Sequence, residues 1–170
     1  DYTNAVDRAN PTAIVFLLDH SLSMNQEWSN AITKAQKLSE IVNGIIKSMV
    51  LQCTKGSGGV RPYFDVAILG YGGNAVKSLL KTTDLENPFL SISEVNKLAE
   101  IQTITVGGRM KRVPIWVHPN ANGATPMNTA LRTATRVLER WTKDHQNSFP
   151  PIVFNITDGE STDGNPIEAG

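Results

Sequence analysis

The strongest constraint on this chain is the run Ala13-Ile14-Val15-Phe16-Leu17-Leu18, closed at once by Asp19-His20-Ser21-Leu22-Ser23-Met24. Six apolar residues rich in branched and aromatic types, with no polar alternation, predict a short strand buried on both faces of a parallel sheet. Open α/β sheets bind ligands at the carboxyl ends of such strands. Asp19, Ser21 and Ser23 therefore leave the core together on a tight loop. One carboxylate and two hydroxyls form an all-oxygen set of the kind that hard cations such as Mg²⁺ prefer. Short polar loops after strands are common, so this motif by itself is also consistent with an ordinary turn.

The rest of the chain reads as alternating strands and helices. Residues 1–11 form a polar lead-in ending in Asn10-Pro11. From Trp28 to about Val50, apolar residues recur at three and four, which predicts one long helix with Gly44 inside it. The Lys55–Gly59 stretch is a flexible turn without the Gly-Lys-Ser/Thr of a phosphate loop. A second strand is expected over Tyr63–Tyr71. The short glycine-rich link at 72–74 makes the third strand, Ala75–Leu80, antiparallel to it. Strand–turn–strand is the wrong order for a dinucleotide site, which requires strand–turn–helix. Ser91-Ile92-Ser93-Glu94 has the spacing of a capping box and opens a short helix through Val95, Leu98 and Ala99. Strand-like flanks around Gly107-Gly108 predict a β-hairpin over 101–117, inserted beside the sheet to extend or cover an edge. Thr125 as N-cap and Pro126 as the first helical residue start a helix that reaches about Trp141. A buried strand, Ile152–Ile156, then ends in Thr157-Asp158-Gly159-Glu160-Ser161-Thr162-Asp163-Gly164. The sum is one α/β domain over residues 1–170. It is Rossmann-like and doubly wound, with a mostly parallel central sheet, one antiparallel edge strand, helices on both faces and the inserted hairpin.

Composition narrows the function classes. Sixteen basic residues against sixteen acidic ones leave no net field to draw in nucleic acid or an acidic membrane. The basic cluster Arg109–Arg112 lacks interleaved aromatics and reads as a solvated turn. Cys53 stands alone, so neither an internal disulfide nor a cysteine zinc site can form. No apolar run is long enough to span a bilayer. The sequon Asn155-Ile156-Thr157 falls in a strand expected to be buried, where a glycan would not fit. The chain starts at Asp1 rather than Met, and the balance favours a reducing, cytoplasmic setting. His118 and His145 stand apart from any carboxylate or serine pattern. His20 reads as a surface or supporting histidine rather than a ligand, and Glu160 as a solvated loop residue. No nucleophile elbow or Ser-His-Asp order is present, so no catalytic residue is assigned.

Three loops thus carry hard oxygen ligands: Asp19/Ser21/Ser23, Thr125 in Gly-Ala-Thr-Pro, and Asp158 in Ile-Thr-Asp-Gly. Each has a plain alternative, as a turn, a helix cap and a turn respectively. In order and spacing, they resemble the metal-ion-dependent adhesion site of von Willebrand factor A (integrin I-like) domains. The run after Ile156 is most similar to bacterial intracellular members, including tellurite-resistance-type proteins. The resemblance implies that Ser21, Ser23 and often Thr125 touch a divalent cation directly, while Asp19 and Asp158 hold it through water or at one remove. Mg²⁺ is the implied cofactor, with Mn²⁺ or Ca²⁺ as alternatives. Neutral hydroxyl ligands leave the ion electrophilic, so an Asp or Glu from a partner protein would complete its octahedron. The resemblance also implies further βα units after Asp158, so either more chain or a second chain is expected to complete the sheet. A metal-dependent hydrolase or phosphatase is the rival reading. A structural module with a vestigial site is the other.

Overall fold

The computed structural model describes residues 6–168; the first five residues of the lead-in and the last two of the chain lie outside the described residues. The first strand, β1 (Thr12–Asp19), is buried along all eight residues. Its side chains alternate between two cores, as strand geometry requires. Ile14, Phe16 and Leu18 join one cluster with Val42 and Ile46, whereas Val15 and Leu17 join another with Ala130 and Ala134. A strand lying between two helical layers must be apolar on both faces, which is why no polar residue interrupts Ala13–Leu18.

After β1 come a single 3-10 turn at Leu22–Asn25, the short strands β2 (Glu27–Ser29) and β3 (Ile32–Thr33), and the helix α1 (Lys34–Cys53). The helix therefore starts six residues later than the apolar periodicity predicts. Asn30 and Ala31 have φ of 51° and 62°, incompatible with a continuous right-handed helix. Thr33 then caps the helix in a reciprocal box with Gln36: Gln36 N donates to Thr33 Oγ1 at 3.2 Å, and Thr33 N donates to Gln36 Oε1 at 2.7 Å. Trp28, expected inside the helix, lies in β2 and is 62% exposed. Val42 and Ile46 carry the buried stripe, whereas Ile41 and Ile45 face outward.

Strand β4 (Phe64–Gly72) pairs parallel with β1, and β5 (Ala75–Ser78) pairs antiparallel with β4, as the short turn requires. A two-residue strand, β6 (Leu90–Ser91), adds a second antiparallel pairing to β4 that periodicity could not show. Ser91 caps α2 (Ile92–Lys97) with the expected capping box to Glu94. The hairpin β7 (Glu100–Val106) and β8 (Arg109–Ile115) turns at Gly107-Gly108. It forms its own two-stranded sheet and neither extends nor pairs with the central one. Its base is held by Trp116, whose Nε1 donates to Val95 O at 2.7 Å. Buried Asn43 of α1 reaches the same segment, accepting from Trp116 N and Val117 N and donating to Val117 O, all within 3.0 Å.

Helix α3 (Met127–Asp144) covers the opposite face, and β9 (Ile152–Ile156) pairs parallel with β1. The long strands are parallel, antiparallel strands flank β4, and helices lie on both faces: a mixed α/β, Rossmann-like arrangement in the order β5-β4-β1-β9. Strand β9 was expected to be buried, but at the sheet edge Val153 and Phe154 are 40% and 45% exposed. Asn155 is exposed too, and its Oδ1 accepts a hydrogen bond from Tyr71 Oη at 2.7 Å. Among the described residues, no helix is long and apolar enough to cross a membrane. Replacing Asn43 with Ala should lower unfolding stability by about 2–4 kcal/mol, because buried backbone groups at 116–117 would lose their partner. Urea denaturation followed by circular dichroism checks this.

Candidate metal centre

The buried strand β1 ends in Asp19, which is fully buried and must therefore be satisfied by the protein. Its two oxygens are used separately. Oδ1 accepts from Ser21 N at 2.8 Å, folding the loop back on itself. Oδ2 accepts from Thr157 Oγ1 at 2.5 Å, tying the end of β1 to the end of β9. Parallel pairing of β1 with β9 is what brings both strand ends to one edge.

Ser21 is buried and its Oγ lies 3.0 Å from Ser23 Oγ. Ser23 Oγ in turn donates to Asp158 Oδ1 at 2.8 Å. Two loops separated by more than a hundred residues thus converge through hydroxyl and carboxylate oxygens. Thr125 belongs to a third loop, bonded to both of the others. Leu22 N donates to Gly123 O at 2.9 Å, and Thr125 exchanges bonds of 3.0 Å with Thr162 through Thr125 N to Thr162 Oγ1 and Thr162 N to Thr125 O. Thr125 is buried. All the residues read from the sequence as ligands therefore sit on three mutually bonded loops at the carboxyl edge of the sheet.

This approach depends on backbone held very close. His20 O accepts from Asn122 N at 2.6 Å, while Gly72 passes beneath it. A Cβ at Gly72 would lie 2.4 Å from that carbonyl oxygen, so only glycine fits. Gly123, with φ of 66°, makes the equally tight turn against Gly73.

Several neighbours were not legible as site residues. Lys34 pairs its ammonium with Asp158 Oδ2 at 2.5 Å, and the Asp158 side chain is only 15% exposed. Partial burial raises the Asp158 pKa, but bonds from Lys34 and Ser23 outweigh it and leave the carboxyl below its ordinary value. Thr157 and Thr162 hold Asp19 and Thr125 in place. Asp163 performs the capping expected of Thr125. Pro126 occupies the N-cap position of α3 rather than the first helical turn, and no side chain at that position caps the helix. Asp163 instead accepts from Asn128 N at 2.9 Å and from Thr129 N at 2.8 Å. Thr125 is thereby left out of helix capping.

The histidines also differ from expectation. His20 is buried rather than at the surface, its ring against Gly70, and burial lowers its pKa despite adjacent Asp19. His118 is not isolated: its Nε2 lies 3.2 Å from Glu100 Oε2. His145 stacks on Trp141 with ring centres 4.1 Å apart and lies 3.8 Å from Asp65 Oδ2. Glu160 is exposed, as expected.

The donor set suits a hard, oxygen-seeking cation. It combines carboxylate oxygen and two hydroxyls in mutual contact, with the hydroxyl-bearing Thr125 on the adjoining loop. Among the described residues, no three His, Cys, Asp or Glu side chains gather at one point, so the cluster depends on neutral oxygens. That composition fits Mg²⁺ or Mn²⁺ better than a soft thiolate-seeking metal. No protein-family model matches the chain, and no curated protein matches it in sequence.

The Asp163 cap gives a pH test. Partial burial alone raises its carboxyl, but bonds from Thr129, Ser161 and Asn128 prevail and hold it at about 2. A depressed carboxyl contributes stability above its unfolded value of about 3.9, and that contribution is lost as pH falls toward 2. Melting temperatures of the parent and Asp163→Asn should therefore differ most above pH ~4 and converge toward pH ~2.

Proposed function

We propose that this chain is a von Willebrand factor A-like binding module in which Asp19, Ser21, Ser23, Thr125 and Asp158 hold a divalent cation, Mg²⁺ in the first instance. The cation presents an open position to an Asp or Glu carboxylate of a partner protein. The observation that carries this reading is the Ser21–Ser23–Asp158 chain of oxygen contacts, at 3.0 and 2.8 Å, linking loops from opposite ends of the sequence. The contacts gather hydroxyl and carboxylate oxygens at one strand end, a donor set that a hard cation takes.

Roles follow from burial. Asp19 is fully buried and engaged by Ser21 N and Thr157, so it orients the loop and supplies negative charge from behind. Ser23 and Asp158 are more accessible and lie on the open side, where a cation would enter. Neutral hydroxyls reduce the ion's charge less than carboxylates would, leaving it able to bind an external carboxylate. The Ser21 and Ser23 hydroxyls are engaged with each other and with Asp158, and the reading is one of binding rather than turnover.

Calorimetric titration of the full chain with Mg²⁺ and Mn²⁺, beside Ser23→Ala, tests the proposal. Ser23 is only partly buried, so its truncation should leave the far-ultraviolet circular dichroism unchanged. The parent should bind, and the variant should bind roughly tenfold or more weakly. A folded parent that binds neither ion overturns the reading.

A further inference from the structure

The cluster contains a cation of its own. Lys34 is the first residue of α1, and its Nζ donates to Asp158 Oδ2 at 2.5 Å and to Gln26 Oε1 at 2.8 Å. Its backbone is fixed as well: Lys34 N donates to Gln26 O at 2.9 Å, one residue after the Thr33 cap. The side chain is 23% exposed, far less than a lysine swinging free in solvent. Asp158 is consequently shared, with one oxygen on the serine pair and the other on the ammonium.

The position is electrostatically unusual. A helix N-terminus carries partial positive charge, so a lysine in the first turn is unfavourable unless a carboxylate compensates it. The first turn of α1 contains no acidic residue. The compensating charge comes from Asp158, across the loop.

We propose that Lys34 is a built-in counter-charge that competes with the divalent cation for Asp158 and, once the cation is bound, favours capture of an external carboxylate. The inference rests on the reading of this cluster as a cation site. Among the groups that this bonding network joins, Asp19 and Asp158 together would neutralise a divalent ion completely. Lys34 leaves the loaded cluster with one net positive charge, which a single partner carboxylate balances. Its two effects have opposite signs. It weakens binding of the metal alone, and it strengthens binding of the carboxylate to the loaded site. An ordinary surface ion pair would do neither to a measurable degree.

The test compares the parent chain with Lys34→Gln, Lys34→Met and Lys34→Arg by calorimetric titration with MgCl₂ at constant ionic strength. Each titration is run with and without glutarate as the carboxylate probe, corrected for its own weak Mg²⁺ binding. Circular dichroism melts in EDTA establish that each variant is folded. Lys34→Met retains most of the aliphatic stem and serves as the second neutral variant if Lys34→Gln folds poorly. The neutral variants should bind Mg²⁺ on the order of tenfold more tightly than the parent, with Lys34→Arg close to the parent. Glutarate should tighten Mg²⁺ binding in the parent and do so less in the neutral variants. Neutral variants that bind Mg²⁺ no more tightly than a binding-competent parent overturn the role of Lys34 and leave the cation site standing. A glutarate effect that is absent from the parent, or undiminished in the variants, overturns the carboxylate half. If neither the parent nor any variant binds Mg²⁺, the cation site itself fails, and Lys34 is then only a structural partner of Asp158.

Discussion

Burial of the Asp19 carboxylate is the constraint around which the functional edge of this protein is arranged. Strand β1 is enclosed on both faces, so its last residue has no solvent to satisfy its charge. A carboxylate in that position is tolerated only if both oxygens are engaged. One engages the backbone of Ser21 and the other the hydroxyl of Thr157, so satisfying a single buried charge draws two loops together. Once Ser21 is set, Ser23 and Asp158 follow through hydroxyl contacts. The rigidity of the cluster thus derives from the central strand, and its polarity from the loops.

Charge is distributed unevenly over this edge. Asp163 lies on the N-terminus of α3, where backbone donors stabilise it. Asp158 lies opposite the first residue of α1, where a lysine meets it. Two acids of the same loop therefore do different work, one closing a helix and the other facing the open side. Tyr71 marks the inner limit of the polar zone. Burial, reinforced by nearby Asp19, pushes its hydroxyl well above the ordinary tyrosine range, so it stays protonated and donates to Asn155.

Several departures from the sequence reading share one physical cause, which is contact between segments distant in the chain. Apolar periodicity located α1 but set its start too early. Trp28 fits a three-and-four pattern, yet the left-handed residues Asn30 and Ala31 break the helix before the Thr33 cap. The Thr-x-x-Gln spacing was an available signal. Pro126 and Thr125 have the composition of a helix start, but Asp163 from another loop takes over the capping. Strand β9 is as apolar as a central strand, and among the described residues only β1 pairs with it. The isolation expected of His118 and His145 fails for the same reason, since Glu100 and Asp65 approach them only through folding.

What the sequence by itself determined is local: the doubly buried β1, the antiparallel return into β5, the Ser91 capping box, the Gly107-Gly108 hairpin and the oxygen-bearing loops after the strands. Each depends on side-chain periodicity or turn chemistry within a few residues. Tertiary structure alone decided which residues share a surface. Parallel pairing of β1 with β9 set Asp158 beside Ser23, and the late start of α1 aimed Lys34 at that carboxylate. Long-range electrostatic partners leave no periodic trace in a sequence, because loop closure across a hundred residues is governed by the summed packing of the core and not by the two side chains that finally meet.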